Sequence, residues 1–70
     1  MTPAELKEAR LKLGLSQSEL ATLLGYDGNR VREQVYKMEV GLREIREPQR
    51  RLVEAYLLGY RPPDWPDDAG

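Results

Sequence analysis

Thr2-x-x-Glu5 and Ser16-x-x-Glu19 are two capping boxes, each followed by apolar residues at helical spacing and then by a glycine. In such a box the hydroxyl accepts from a backbone N–H one turn on, and the carboxylate reaches back to the N–H of the cap residue. Pro3 sits at the first helical position, where its missing N–H costs nothing. Leu6, Ala9 and Leu13, with the aliphatic stem of Arg10, make one face of the first helix, and Gly14 ends it as a left-handed cap. The second helix, over about residues 17–24, has Leu15 ahead of its cap and carries Leu20, Ala21, Leu23 and Leu24 inward before Gly25. Two turns cannot hold alone in water. Packing must hold them.

Gly25-Tyr26-Asp27 then leads into a third helix, with Asp27 the better cap and Asn29 the alternative if the start is later. Val31, Val35 and Met38 lie at i, i+4 and i+7 and share a face, while Asn29, Arg30, Arg32, Glu33, Tyr36 and Lys37 fall around the other side. The pattern predicts a helix over about residues 28–39, stopped by Gly41. A short basic connection follows, anchored by Leu42 and Ile45. Pro48 opens a fourth helix that carries Leu52, Val53, Tyr56 and Leu57 inward as far as Gly59. Beyond it, Pro62, Pro63 and Pro66 remove donors and forbid a further helix. No strand-like alternation and no internal repeat is present. The expectation is one all-α domain over residues 1–61, compact with four to five helices, and an acidic Pro-rich tail containing Trp65 over residues 62–70.

Seventy residues bury only about 60% of the surface of the unfolded chain, so the core is small. With no Cys and no His, the chain lacks thiolate nucleophiles, the commonest general base and the usual zinc ligands. Neither an enzyme nor a cofactor or metal protein is expected. No apolar run resembles a signal peptide or a membrane span, so a cytoplasmic protein is expected. The net charge is −1, but its distribution is uneven: residues 1–61 carry all 11 basic side chains and nine of the 12 acidic ones. Seven basic side chains fall between Arg30 and Arg51. That is a modest basic stripe of the kind that meets phosphate.

Two short helices joined by a tight link, the second with a polar outward face, follow the helix-turn-helix plan. Ala21 is small where the next helix must cross, and Gly25 supplies a left-handed bend. The segment Leu15-Ser16-Gln17-Ser18-Glu19-Leu20-Ala21-Thr22-Leu23-Leu24-Gly25 resembles the "L-[ST]-Q-x-x-L-A-x-x-L-G" stretch of the lambda-repressor and Cro-like (XRE) family. Met38-Glu39-Val40-Gly41-Leu42-Arg43-Glu44-Ile45 is similar to that family's "W-E-x-G-x-R-x-[IP]" stretch, with Met in place of the aromatic. Between Gly25 and Met38 this chain has about four more residues than the family pattern. Four residues is close to one helical turn, so a longer third helix keeps its faces in register. The alternative is a looser turn containing Gly28. We take the longer helix as the expectation.

The resemblance implies a lambda-repressor-like domain whose third helix enters the major groove of double-stranded DNA. Asn29, Arg30, Arg32, Glu33 and Lys37 become the candidates for base contact, since Arg suits guanine, Asn adenine, and Glu accepts from cytosine. Gln17, Tyr36, Arg43 and Arg46 become candidates for phosphate contact. The family further implies a homodimer acting as a repressor, as in phage and mobile-element regulators. Tyr56, Tyr60 and Trp65, outside the two-helix motif, are the residues expected to contact a second copy or a protein partner. An antitoxin-like regulator with its tail on another protein is the alternative. Blander roles stand beside these. Arg50 and Arg51 lie at pairing distance from Glu47 and Glu54, Glu33 at pairing distance from Arg30 or Lys37, and Trp65 could fold back to complete the core.

Overall fold

The computed structural model describes residues 1–66; of the tail's acidic residues, Asp67 and Asp68 lie outside the described residues. Four helices run in the order α1 (Pro3–Lys12), α2 (Gln17–Leu23), α3 (Val31–Glu39) and α4 (Glu47–Leu57). Both capping boxes form. Glu5 N–H donates to Thr2 Oγ1 at 3.1 Å while Thr2 N–H donates to Glu5 Oε1 at 2.7 Å. At α2 the matching distances are 3.0 Å from Glu19 N–H to Ser16 Oγ and 2.8 Å from Ser16 N–H to Glu19 Oε1.

Every helix also closes in the same way. The N–H of the residue after the glycine donates five residues back: Leu15 to Arg10, Tyr26 to Ala21, Leu42 to Lys37, and Tyr60 to Ala55, at 3.2, 3.1, 2.8 and 3.0 Å. The bond needs a left-handed residue just before its donor. At Gly25, φ is +99°, and a side chain there would be strained between the two helices of the motif.

The core is made of Leu6, Ala9 and Leu13 of the first helix region, Leu15, Leu20 and Ala21 around α2, Val35 and Met38 of α3, and Val53 and Tyr56 of α4. α2 and α3 pack most closely, with Ala21 fully buried beneath the crossing. Val31, Leu24 and Leu52 are half-buried at its edge. Two expected inward residues are not in this core. Leu57 is exposed because the buried stripe of α4 runs through Val53 and Tyr56, and Leu57 lies one position round from it. In the connection after α3, Ile45 packs on the core whereas Leu42 stays exposed.

The larger correction concerns α3. It starts at Val31, not near residue 28, so the additional residues form a loop and not an extra turn. Neither Asp27 nor Asn29 caps the helix; the cap position falls on Arg30, at φ −125° and ψ 33°, with no side-chain cap bond. Gly28, at φ +98°, breaks helical continuity. A glycine inside a helix would cost about 1 kcal/mol relative to Ala, and Tyr26 is held elsewhere by tertiary contacts.

Candidate nucleic-acid interface

α3 divides cleanly into two faces. Val35 and Met38 are buried against α2 and the core, while Arg32, Glu33, Tyr36 and Lys37 are exposed on the opposite side. Among the described residues Arg32, Lys37, Arg43 and Arg46 form no ion pair, so their charges face solvent unneutralised. Arg30 and Glu33 approach only to 3.9 Å, and Arg30's side chain is 81% exposed.

Arg32 and Tyr36 also line an open groove of about 490 Å³, whose other walls include Lys7 of α1, Ser16 and Gln17 at the start of α2, and Val40. Three of the expected site residues (Gln17, Arg32 and Tyr36) are therefore brought together. At the floor of this groove lies a buried polar cluster that the sequence reading missed. Arg10 Nε donates to Glu39 Oε2 at 2.7 Å and Nη2 to Glu39 Oε1 at 3.3 Å, while Nη1 donates to the Leu15 carbonyl at 3.0 Å. Gln17 Nε2 completes the set, donating to Glu39 Oε1 at 3.1 Å. A charged residue spaced among Ala9 and Leu13 was the available signal, since a buried guanidinium requires a partner.

The rest of the expected set is dispersed. Asn29 and Arg30 are exposed in the loop ahead of α3 instead of on its face. Arg43, beyond α3, donates to Gln34 Oε1 and lies 5.2 Å from the centroid of the Tyr26 ring. Arg46 is exposed at the cap of α4, and its N–H donates to Gln49 Oε1 at 3.0 Å. Arg50 and Arg51 are engaged as the sequence spacing predicts. Arg50 bonds Glu47 and also Glu54, the latter at 2.7 Å, and Arg51 meets Glu47 at 3.3 Å. The Arg50 hydrogen bond is the main reason that the Glu47 carboxyl is held down to about 2.

Tyr56 does not stand as a partner-contacting side chain. It is 2% exposed, its ring fills the core, and its hydroxyl donates to the Leu23 carbonyl at 3.3 Å. Burial pushes its phenol above the ordinary value, with Asp64 and Tyr60 adding to the shift. Tyr60 stacks on it with centroids 6.0 Å apart and remains half outside the core. Trp65 folds back edge-on to Tyr56 at 5.2 Å, and the Arg61 guanidinium covers the indole at 4.2 Å. The same Arg61 donates to the carbonyls of Tyr56 and Tyr60 at 2.8 and 2.9 Å, closing the end of α4.

Compared with known protein families, the chain matches the helix-turn-helix family over residues 6–57. No curated protein and no solved structure matches it. No helix of the described residues is long and apolar enough to cross a membrane.

Proposed function

Because the chain belongs to the lambda-repressor/Cro-like (XRE) helix-turn-helix family of DNA-binding transcription regulators, we propose that it is a dimeric repressor reading an inverted repeat through the exposed face of α3. The observation that carries this reading is the pair of unneutralised cations, Arg32 and Lys37, on a helix whose other face is buried against α2. Arg32, Glu33 and Lys37 project from the first two turns of α3, where a recognition helix meets base edges. Arg32 is the guanine reader, Glu33 accepts from a cytosine amino group, and Lys37 donates to guanine acceptors.

With the loop geometry, Arg30 and Asn29 move outward from base edges to the sugar–phosphate wall. Gln17, Tyr36, Arg43 and Arg46 supply the other backbone contacts. Gln17 uses one amide hydrogen on Glu39, and the second is available to a phosphate oxygen. A domain this small reads few base pairs, and a second copy bound one DNA turn away multiplies its affinity. The exposed end of α4 supports that pairing, since Leu58 is 91% exposed beside Leu57 and Tyr60.

The same apolar end supports the second reading, an antitoxin-like regulator that contacts another protein there. Affinity capture with and without residues 60–70 separates the two. The function itself is tested by selecting bound duplexes from a random pool. An enriched inverted repeat with half-site centres about 10–10.5 base pairs apart is the expected outcome. A pool that stays random after selection contradicts it.

A further inference from the structure

Between the C-cap residue Leu24 and the first residue of α3, the chain runs through Gly25–Arg30, and Asp27, Gly28, Asn29 and Arg30 are all exposed. Its ends are tied by backbone bonds, Tyr26 N–H to the Ala21 carbonyl at 3.1 Å and Glu33 N–H to the Arg30 carbonyl at 3.2 Å. Tyr26 ties it to the rest of the molecule. Its phenol oxygen accepts from Gln49 Nε2 at 2.6 Å, and the other end of that amide is fixed by Arg46 N–H at 3.0 Å. Its ring faces the Arg43 guanidinium at 5.2 Å, and Arg43 in turn holds Gln34 of α3. One half-buried side chain thus links the loop to the start of α4, to the segment after α3, and through it to α3.

The loop lies at the N-terminal end of α3. Nine helical residues span about 13.5 Å, close to the roughly 12 Å width of the major groove. An element that continues beyond that end meets the phosphate wall of the groove instead of base edges. Arg30 and Arg43 both follow Tyr26 in sequence, and both are exposed and cationic. We infer that Tyr26 is a positioning residue for a second DNA-contacting element, the loop Asp27–Arg30, which grips a sugar–phosphate segment outside the bases read by α3. This rests on the DNA-reading role proposed above.

Phosphate ethylation interference on the selected duplex, with full-length protein and a parallel salt titration, reads the inference directly. Unaltered protein should show interference at phosphates flanking the α3-read bases. Tyr26→Leu should lose the loop-side phosphates selectively and make the log–log salt slope shallower by about one unit, with base preference retained. Tyr26→Phe keeps the ring under Arg43 and loses only the Gln49 bond, so it should fall between the two. A purely structural tyrosine would instead weaken every phosphate alike, and that result overturns the inference.

A second measurement is independent of how the Tyr26 variants fold. The chain has no Cys, so Asn29→Cys carries a photocrosslinker at a unique exposed site. Crosslinks at backbone outside the α3-read bases are expected; crosslinks absent, or confined to the central bases, overturn the inference. If unaltered protein binds no duplex at all, the functional reading fails first and this inference with it. If it binds a selected site but the ethylation pattern ignores Tyr26, only the inference fails.

Discussion

Arg10 of α1 and Glu39 at the end of α3 form a two-point ion pair at 2.7 and 3.3 Å, with side chains 11% and 4% exposed. The pair joins α1 to the last turn of α3, and Gln17 of α2 binds the same carboxylate. Three helices therefore meet at one buried charge cluster. Such a pair adds little net stability over a well-packed apolar substitute, yet losing one partner strands the other.

Glu39→Ala should therefore destabilise the domain by about 3–5 kcal/mol, because Arg10 keeps a buried charge without its counter-ion. Replacing both residues together, Arg10→Met with Glu39→Leu, should recover much of that loss. Urea denaturation of the two variants checks it. A Glu39→Ala cost below about 1 kcal/mol would show that the pair is solvated in solution.

Tyr56 links alkaline stability to the core. Its phenol is held above its ordinary value, chiefly by burial. The folded state therefore favours the neutral form, whereas the unfolded chain ionises near the ordinary value of about 10. The stability that Tyr56 confers is complete below that pH and is lost as pH rises toward the raised folded value. Thermal melts should show Tm falling above about pH 10, with a flatter fall in Tyr56→Phe. Parallel curves for the two proteins would mean that Tyr56 does not carry the effect.

The helix ends were legible because their causes are local. Thr2 with Glu5, Ser16 with Glu19, and the glycines after each helix act within one turn of the residues they cap. The start of α3 was not legible, since Tyr26 is held by Gln49, 23 residues away, and by Arg43. The Arg10–Glu39 pair spans 29 residues and was equally hidden. For Tyr56 the helical period gave the inward face correctly. The partner role failed because an aromatic at that spacing fills the small core. The outward face of α3 followed from the spacing of Val31, Val35 and Met38, which holds whether the inserted residues form helix or loop.

Phosphate contacts should behave as a class distinct from base readers. Substituting Arg30, Arg43 or Arg46 by Ala should weaken binding to all duplexes about equally, each making the log–log salt slope shallower by about one unit. Binding by the unaltered protein should fall steeply with salt despite the net charge of −1. Titrations between 50 and 200 mM salt (about the range where the effect is largest) test it, and a flat dependence would remove these residues from the interface.

Pairing through α4 predicts that Leu58→Asp yields monomers, with half-site binding retained and full-site affinity lowered. Sedimentation at micromolar concentration, with and without the selected duplex, reads this out. Unaltered protein that sediments only as monomer under both conditions would rule out the dimer.

The central claim is that the exposed face of α3 reads bases, and Arg32 tests it most directly. The quantity to measure is the ratio of affinities for the selected duplex and a scrambled duplex of equal length, at one salt concentration. Arg32→Ala should lower that ratio by about 5–150-fold, equivalent to about 1–3 kcal/mol, and relax the preference at one position per half-site. Arg43→Ala, measured alongside, should leave the ratio nearly unchanged. An unchanged ratio for Arg32→Ala, with the protein folded, would contradict the account.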